Sequence, residues 1–147
     1  MLINNAAIFV PGELETVQPK HINLSFDINL MVVILAMRDT LPHMKAGNGG
    51  HIINISSGLA HRGVPHAVCY GSSKWAVEGI TQGIVAEFKD QGVIAHTLGP
   101  GRMKLIGLER YERDEFESRV IDSFDDGSLP RGNRFTQTNR IGERIGR

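Results

Sequence analysis

Three short apolar runs, separated by two long helical stretches, constrain this chain most. Residues 2–6, 51–56 (with Ile52, Ile53 and Ile55) and 93–98 have the length and composition of buried strands. The first helical stretch spans residues 19–45 and opens on Pro19, which suits a helix start. It is apolar on two faces, Leu24, Ile28, Met31 and Leu35 on one and Leu30, Val33, Ile34, Met37 and Leu41 on another. A helix apolar on more than one face is buried on more than one side. One side is expected to meet a sheet and the other a partner helix from a second subunit. The second stretch runs from Tyr70 to about Gln91 and stops at Gly92. Strand, helix, strand, helix, strand implies parallel strands joined by right-handed crossovers. The expected class is therefore α/β, three-layered, with about three parallel strands and two long helices.

The connecting segments exclude several functions. Residues 45–50 (Lys-Ala-Gly-Asn-Gly-Gly) form a turn, but no Gly-Lys-Ser/Thr follows and no strand precedes, so it is no phosphate loop. Sixteen basic and sixteen acidic residues cancel, which argues against a nucleic-acid partner. Cys69 is the only cysteine, so no internal disulfide can form. The start lacks a basic segment followed by a long apolar core, so it is no signal peptide. The longest apolar run, residues 30–37, is far too short to span a bilayer. A cytoplasmic protein with no membrane contact is expected. Residues 106–126 are charge-rich and pattern as an amphipathic helix, whereas 127–147 hold few core-forming residues and are expected to be a flexible tail. The catalytic unit is accordingly expected within residues 1–105.

The chemistry concentrates between Ser57 and Lys74. Tyr70 and Lys74 stand four apart in a helical stretch, so phenol and ammonium share one face. A free tyrosine, with a pKa of about 10, is a poor acid-base group at neutral pH. A neighbouring ammonium favours the phenolate and is expected to lower that pKa. Ser56 and Ser57 end the strand 51–56, where active groups of open α/β sheets gather. The Ser57 hydroxyl can hold a substrate oxygen near the tyrosine. A serine hydrolase is a poor alternative, because Asn54 and Ile55 stand where a nucleophile elbow needs its first glycine. His61 and His66 lack acidic neighbours in sequence, so no metal site is expected. Trp75 reads as a packing residue.

In these residues the chain resembles the short-chain dehydrogenase/reductase family. Ser57 lies thirteen residues before Tyr70, and Tyr70-x-x-x-Lys74 follows, as in the family motif. Asn4-Asn5-Ala6-Ala7 resembles the family's Asn-Asn-Ala-Gly. Asp27-Ile28-Asn29-Leu30 resembles the segment of its catalytic asparagine, and Pro100-Gly101 resembles the Pro-Gly after its sixth strand. The resemblance, over about residues 2–101, implies a Rossmann-like domain and an NAD(P)-dependent oxidoreductase interconverting carbonyl and alcohol groups. It implies Tyr70 as general acid or base, Ser57 as orienting group, and Lys74 as the partner that lowers the Tyr70 pKa and contacts the nicotinamide ribose. It implies Asn29, at a helix irregularity, as support for a proton-relay water. Asn4, Ala6, Tyr70, Lys74, Pro100 and Gly101 would approach the cofactor, NAD or NADP.

Other family features have no counterpart. The Gly-rich turn after the first strand, the first three strands and the last strand are absent, and no threonine follows Pro100-Gly101 within a few residues. A truncated family member is therefore expected, with the strand at residues 2–6 as an exposed edge. The alternative is a non-catalytic partner that assembles with itself or with full-length relatives through the helices around Asn29 and Tyr70.

Overall fold

A computed structural model describes residues 1–100 and 134–136. Strand β1 (Leu2–Asn4) leads through a loop to α1 (Pro19–Phe26), which continues through a π-helical turn (Asp27–Met31) into α2 (Val32–Ala46). Strand β2 (Gly50–Ile55) is followed by a single 3₁₀ turn (Gly58–Ala60) and by α3 (Val68–Phe88). Another 3₁₀ turn (Lys89–Gln91) precedes β3 (Val93–Gly99), and β4 (Arg134–Thr136) completes the described elements. The helical span expected over 19–45 is thus present, interrupted at Asn29.

The sheet order is β1-β2-β3-β4. β1 and β2 pair in parallel with Leu2 opposite Ile52 and Asn4 opposite Asn54. β2 and β3 are also parallel, with Ile52 opposite Ala95 and Asn54 opposite Thr97. β4 runs antiparallel on β3. It falls in the stretch 127–147, whose other residues lie outside those described, as does the segment 106–126.

Sequential strands joined by right-handed crossovers place both helices on one face. That face is built from alternate residues of each strand. Ile52, Val93 and Ala95 are buried with Val33, Met37, Leu41 and Met44 of α2 and Val85 of α3. Leu2, Ile80, Ile84 and Phe88 pack against this core. The opposite face carries Ile3, Ile53, Ile55 and Ile94, and the described residues place no helix there. Among the described strands β1 lies at the outside of the sheet, and its Ile3, with Met1 just before it, is exposed.

Polar residues also run through the core layer. Asn4 Nδ2 donates to Asn54 Oδ1 at 2.7 Å, and Asn54 Nδ2 donates to Thr81 Oγ1 at 2.8 Å. The Thr81 hydroxyl in turn donates to Val77 O. β1, β2 and α3 are thereby tied by side chains that the surrounding apolar layer would otherwise leave unsatisfied. One close approach requires glycine. Gly49 has φ +116°, and a Cβ there would collide with the Gly92 carbonyl, which accepts from Gly50 N. This contact lets the turn after α2 start β2 against the beginning of β3.

Candidate active site

Because the first three strands are parallel, their C-terminal ends lie at one edge of the sheet. Ser57 follows β2, Pro100 follows β3, and the loop after β1 carries Ala6 and Phe9. α3 begins beside them, with Tyr70 in its first turn and Lys74 one turn on. Phe9 packs edge-on against the Tyr70 ring, with centroids 5.1 Å apart. The two loops also meet through Gly12 N, which donates to His66 O at 3.0 Å.

Ser57 is in extended conformation and caps the 3₁₀ turn, its hydroxyl accepting from Leu59 N. The same side chain lies close enough to the Tyr70 phenol to favour its ionised form. Leu59, Val64 and Ala67 form a small buried cluster against which Tyr70 packs. Ser57 and Tyr70, which the sequence places on different elements, are therefore held together. Ser56, beside Ser57, is turned into the interior.

Lys74 is only 3% exposed. Its ammonium donates to Ile55 O at 2.8 Å, at the C-terminal end of β2, and lies 5.8 Å from the Tyr70 ring centroid. Burial lowers the Lys74 pKa from 10.5 to about 8. Tyr70 moves the other way. Burial raises its pKa, and the Ser57 side chain beside it offsets only part of that rise. The expectation that Lys74 lowers the Tyr70 pKa is thus not met here. Withdrawal from water acts on the phenol more strongly than its neighbours do.

Asn29 is 1% exposed and sits inside the π-helical turn. Its Oδ1 accepts from Ile8 N at 2.8 Å, and its Nδ2 donates to Ile8 O at 2.9 Å and to Ser73 Oγ at 3.0 Å. Ser73 donates to Tyr70 O at 2.7 Å. A π turn is a common device for directing a side chain off the regular helical face. Here it sends an amide across to the loop after β1 and to the first turn of α3, so the Asn29 side chain is a clamp between three elements.

The remaining expected residues divide. Asn4 is occupied by Asn54 within the sheet. Ala6 is exposed and Pro100 half-buried at the edge that holds Tyr70. Gly101 lies outside the described residues. Sequence reasoning missed Ser73 and Phe9. Ser73 stands at Tyr70 plus three, a spacing that marks a shared helical face but does not show what the face meets.

The family model for short chain dehydrogenases matches residues 1–115. The chain belongs to the short-chain dehydrogenase family. A trans-4-hydroxycyclohexanecarboxylate dehydrogenase from Sinomonas cyclohexanicum is 33% identical over 113 residues, covering 75% of this chain and 43% of that protein. Human (Homo sapiens) 17-beta-hydroxysteroid dehydrogenase 13 is 30% identical over 92 residues, 63% of this chain and 31% of the relative. Among solved structures, a gluconate 5-dehydrogenase from Burkholderia cenocepacia in complex with NADP and tartrate superposes with a TM-score of 0.73 at 29% identity. That match covers 78% of this chain and 45% of the other. The NADP-bound structure of ElxO gives a TM-score of 0.73 at 31% identity, covering 80% of this chain and 49% of that one. The chain thus spans less than half the length of these relatives.

Proposed function

We propose that the chain carries the catalytic half of an NAD(P)-dependent oxidoreductase that interconverts a carbonyl and an alcohol. The observation that carries this reading is the buried Lys74 ammonium, 5.8 Å from the Tyr70 ring centroid and held by Ile55 O at the end of β2, with Ser57 beside the phenol. A phenol whose pKa is raised keeps its proton at neutral pH. Tyr70 therefore starts as the acid, giving its proton to the substrate oxygen in the reducing direction and recovering it in the oxidising one. Ser57 turns its single hydroxyl proton from Tyr70 to that oxygen and so orients it. Lys74, protonated below about pH 8, stabilises the phenolate left behind.

The residues present fit the nicotinamide end of the cofactor. Ala6 and Pro100 lie in the loops after β1 and β3, at the C-terminal edge of the parallel strands, and the Lys74 ammonium is a donor for ribose hydroxyls. When bound, the nicotinamide supplies or accepts the hydride. The NADP-bound relatives support the cofactor class. Calorimetric titration of the chain with NADPH and NADH tests the reading. Binding at micromolar cofactor supports it, and no binding at millimolar cofactor overturns it for the chain alone.

A second reading has its own observation. Leu24, Met31, Val32 and Leu35 of the first helical span and Val68 and Trp75 of α3 are exposed apolar residues. Such surface suits helix-to-helix assembly with a second copy or a longer relative. The two readings are compatible, since an assembly partner can complete a cofactor site.

A further inference from the structure

Beyond the groups named for catalysis, a buried carboxylate stands two turns along α3 from Tyr70. Glu78 has a side chain only 10% exposed. Its Oε2 accepts from Thr97 Oγ1 of β3 at 2.8 Å, and its Oε1 lies 3.5 Å from His61 Nε2. Thr97 is buried, whereas the His61 side chain is half exposed and its ring lies 6.2 Å from that of Trp75. The oxidoreductase chemistry has no use for Glu78, and a carboxylate taken out of water is retained at a cost unless its partners are good.

His61 is the C-cap of the 3₁₀ turn that Ser57 begins. The segment 57–61 therefore lies along α3 and touches it at both ends. Ser57 meets Tyr70 at one end, and His61 meets Glu78 at the other. Eight helical residues separate Tyr70 from Glu78, about 12 Å along the axis. Between the ends, Leu59 and Ala60 are buried, and the Leu59 carbonyl faces Gly71. A segment held at one end can pivot about it, whereas one held at both has its hydroxyl placed. Thr97 extends the second anchor into the central sheet.

We propose that His61, Glu78 and Thr97 form a latch that sets the position of the Ser57 hydroxyl relative to Tyr70. His61 and Glu78 are then positioning residues that touch neither substrate nor cofactor. The catalytic part of this inference rests on the oxidoreductase reading; the structural part does not.

The test is amide hydrogen exchange on the full chain, read at Leu59, Ala60 and His61. Their N–H groups bond to Ser57 Oγ, Ser57 O and Gly58 O. Local exchange reports local opening. His61→Ala is expected to speed exchange at these amides by about tenfold, while the amides of β2 and β3 are unchanged. His61→Gln, which keeps a donor for Glu78, is expected to restore protection. Glu78→Gln, which keeps an acceptor for Thr97, guards against a variant that fails to fold. Unchanged protection in His61→Ala overturns the latch. With a turned-over carbonyl substrate, His61→Ala is expected to lower kcat by about tenfold with cofactor KM unchanged, and His61→Gln to recover it. Faster exchange with unaltered kcat overturns the positioning role. A wild-type chain without turnover sinks the oxidoreductase reading and leaves the exchange result to decide the latch.

Discussion

Replacing Lys74 with Met has a worked consequence for stability. The Lys74 ammonium is held by Ile55 O in a site that is 3% exposed, with its pKa at about 8 against an ordinary 10.5. Below pH 8 both the folded and the unfolded chain carry the proton, and the folded state bears the full cost of the buried charge. Between pH 8 and 10.5 the unfolded chain still holds a proton that the folded chain has released. Stability from this group therefore rises with pH across that window. The displacement corresponds to about 3 kcal/mol, of which roughly 2 to 3 kcal/mol is recovered by pH 10. At pH 7 the charge-assisted hydrogen bond to Ile55 O offsets about 1.5–3 kcal/mol of the cost. Lys74→Met is accordingly expected to be as stable as the wild type at pH 7, within about 2 kcal/mol. Urea denaturation of both proteins at pH 7, 8, 9 and 10 is the assay. The wild type is expected to gain about 2 to 3 kcal/mol on the variant between pH 7 and pH 10. Groups distant from Lys74 that titrate in this range are common to both and cancel, and a Tyr70→Phe background in both proteins removes the one phenol that Lys74 approaches. A constant stability difference across the four pH values would refute the assignment of a burial-lowered ammonium to Lys74.

Three further outcomes follow from named contacts. Asn29→Ala removes the partners of Ile8 N, Ile8 O and Ser73 Oγ together and is expected to cost about 2–4 kcal/mol in chemical denaturation. Asn54→Ala unties Asn4 from Thr81 and opens a gap beside Met37; about 2–3 kcal/mol is expected, with Asn4→Ala, at the more exposed end, costing less. Leu35→Asp places a charge on the exposed apolar stripe of α2; in sedimentation the wild type is expected to associate and the variant to remain monomeric, with unfolding midpoints alike at low concentration.

How much of this was legible in the sequence depends on whether the cause is local. Tyr70 and Lys74 could be paired from spacing alone, because a helix carries i and i+4 on one face whatever surrounds it. The strands were legible for the same reason, as short apolar runs bounded by turns. Asn29 could be singled out only by resemblance, yet the π turn that displaces it is a property of this backbone. The clamp from Asn29 through Ser73 to Tyr70 joins residues 44 apart and had no signature in the chain. The direction of the Tyr70 shift was misjudged because spacing reports a neighbour's charge but not withdrawal from water, and burial proved the larger effect. β4 escaped for a different reason. Its stretch is poor in core residues, and three residues pairing by main-chain bonds on the edge of β3 leave no pattern of their own.

In the proposed reduction Tyr70, beside Ser57, moves the proton while the nicotinamide supplies the hydride. The most direct measurement is loss of NADPH and NADH absorbance by the wild-type chain and by Tyr70→Phe over a panel of carbonyl substrates, with calorimetric confirmation that both bind cofactor. The expected result is turnover by the wild type, and a variant that folds and binds cofactor alike but turns over at least about a thousandfold more slowly. A Tyr70→Phe chain working at the wild-type rate, or a cofactor-bound wild type that reduces nothing in the panel, would contradict it.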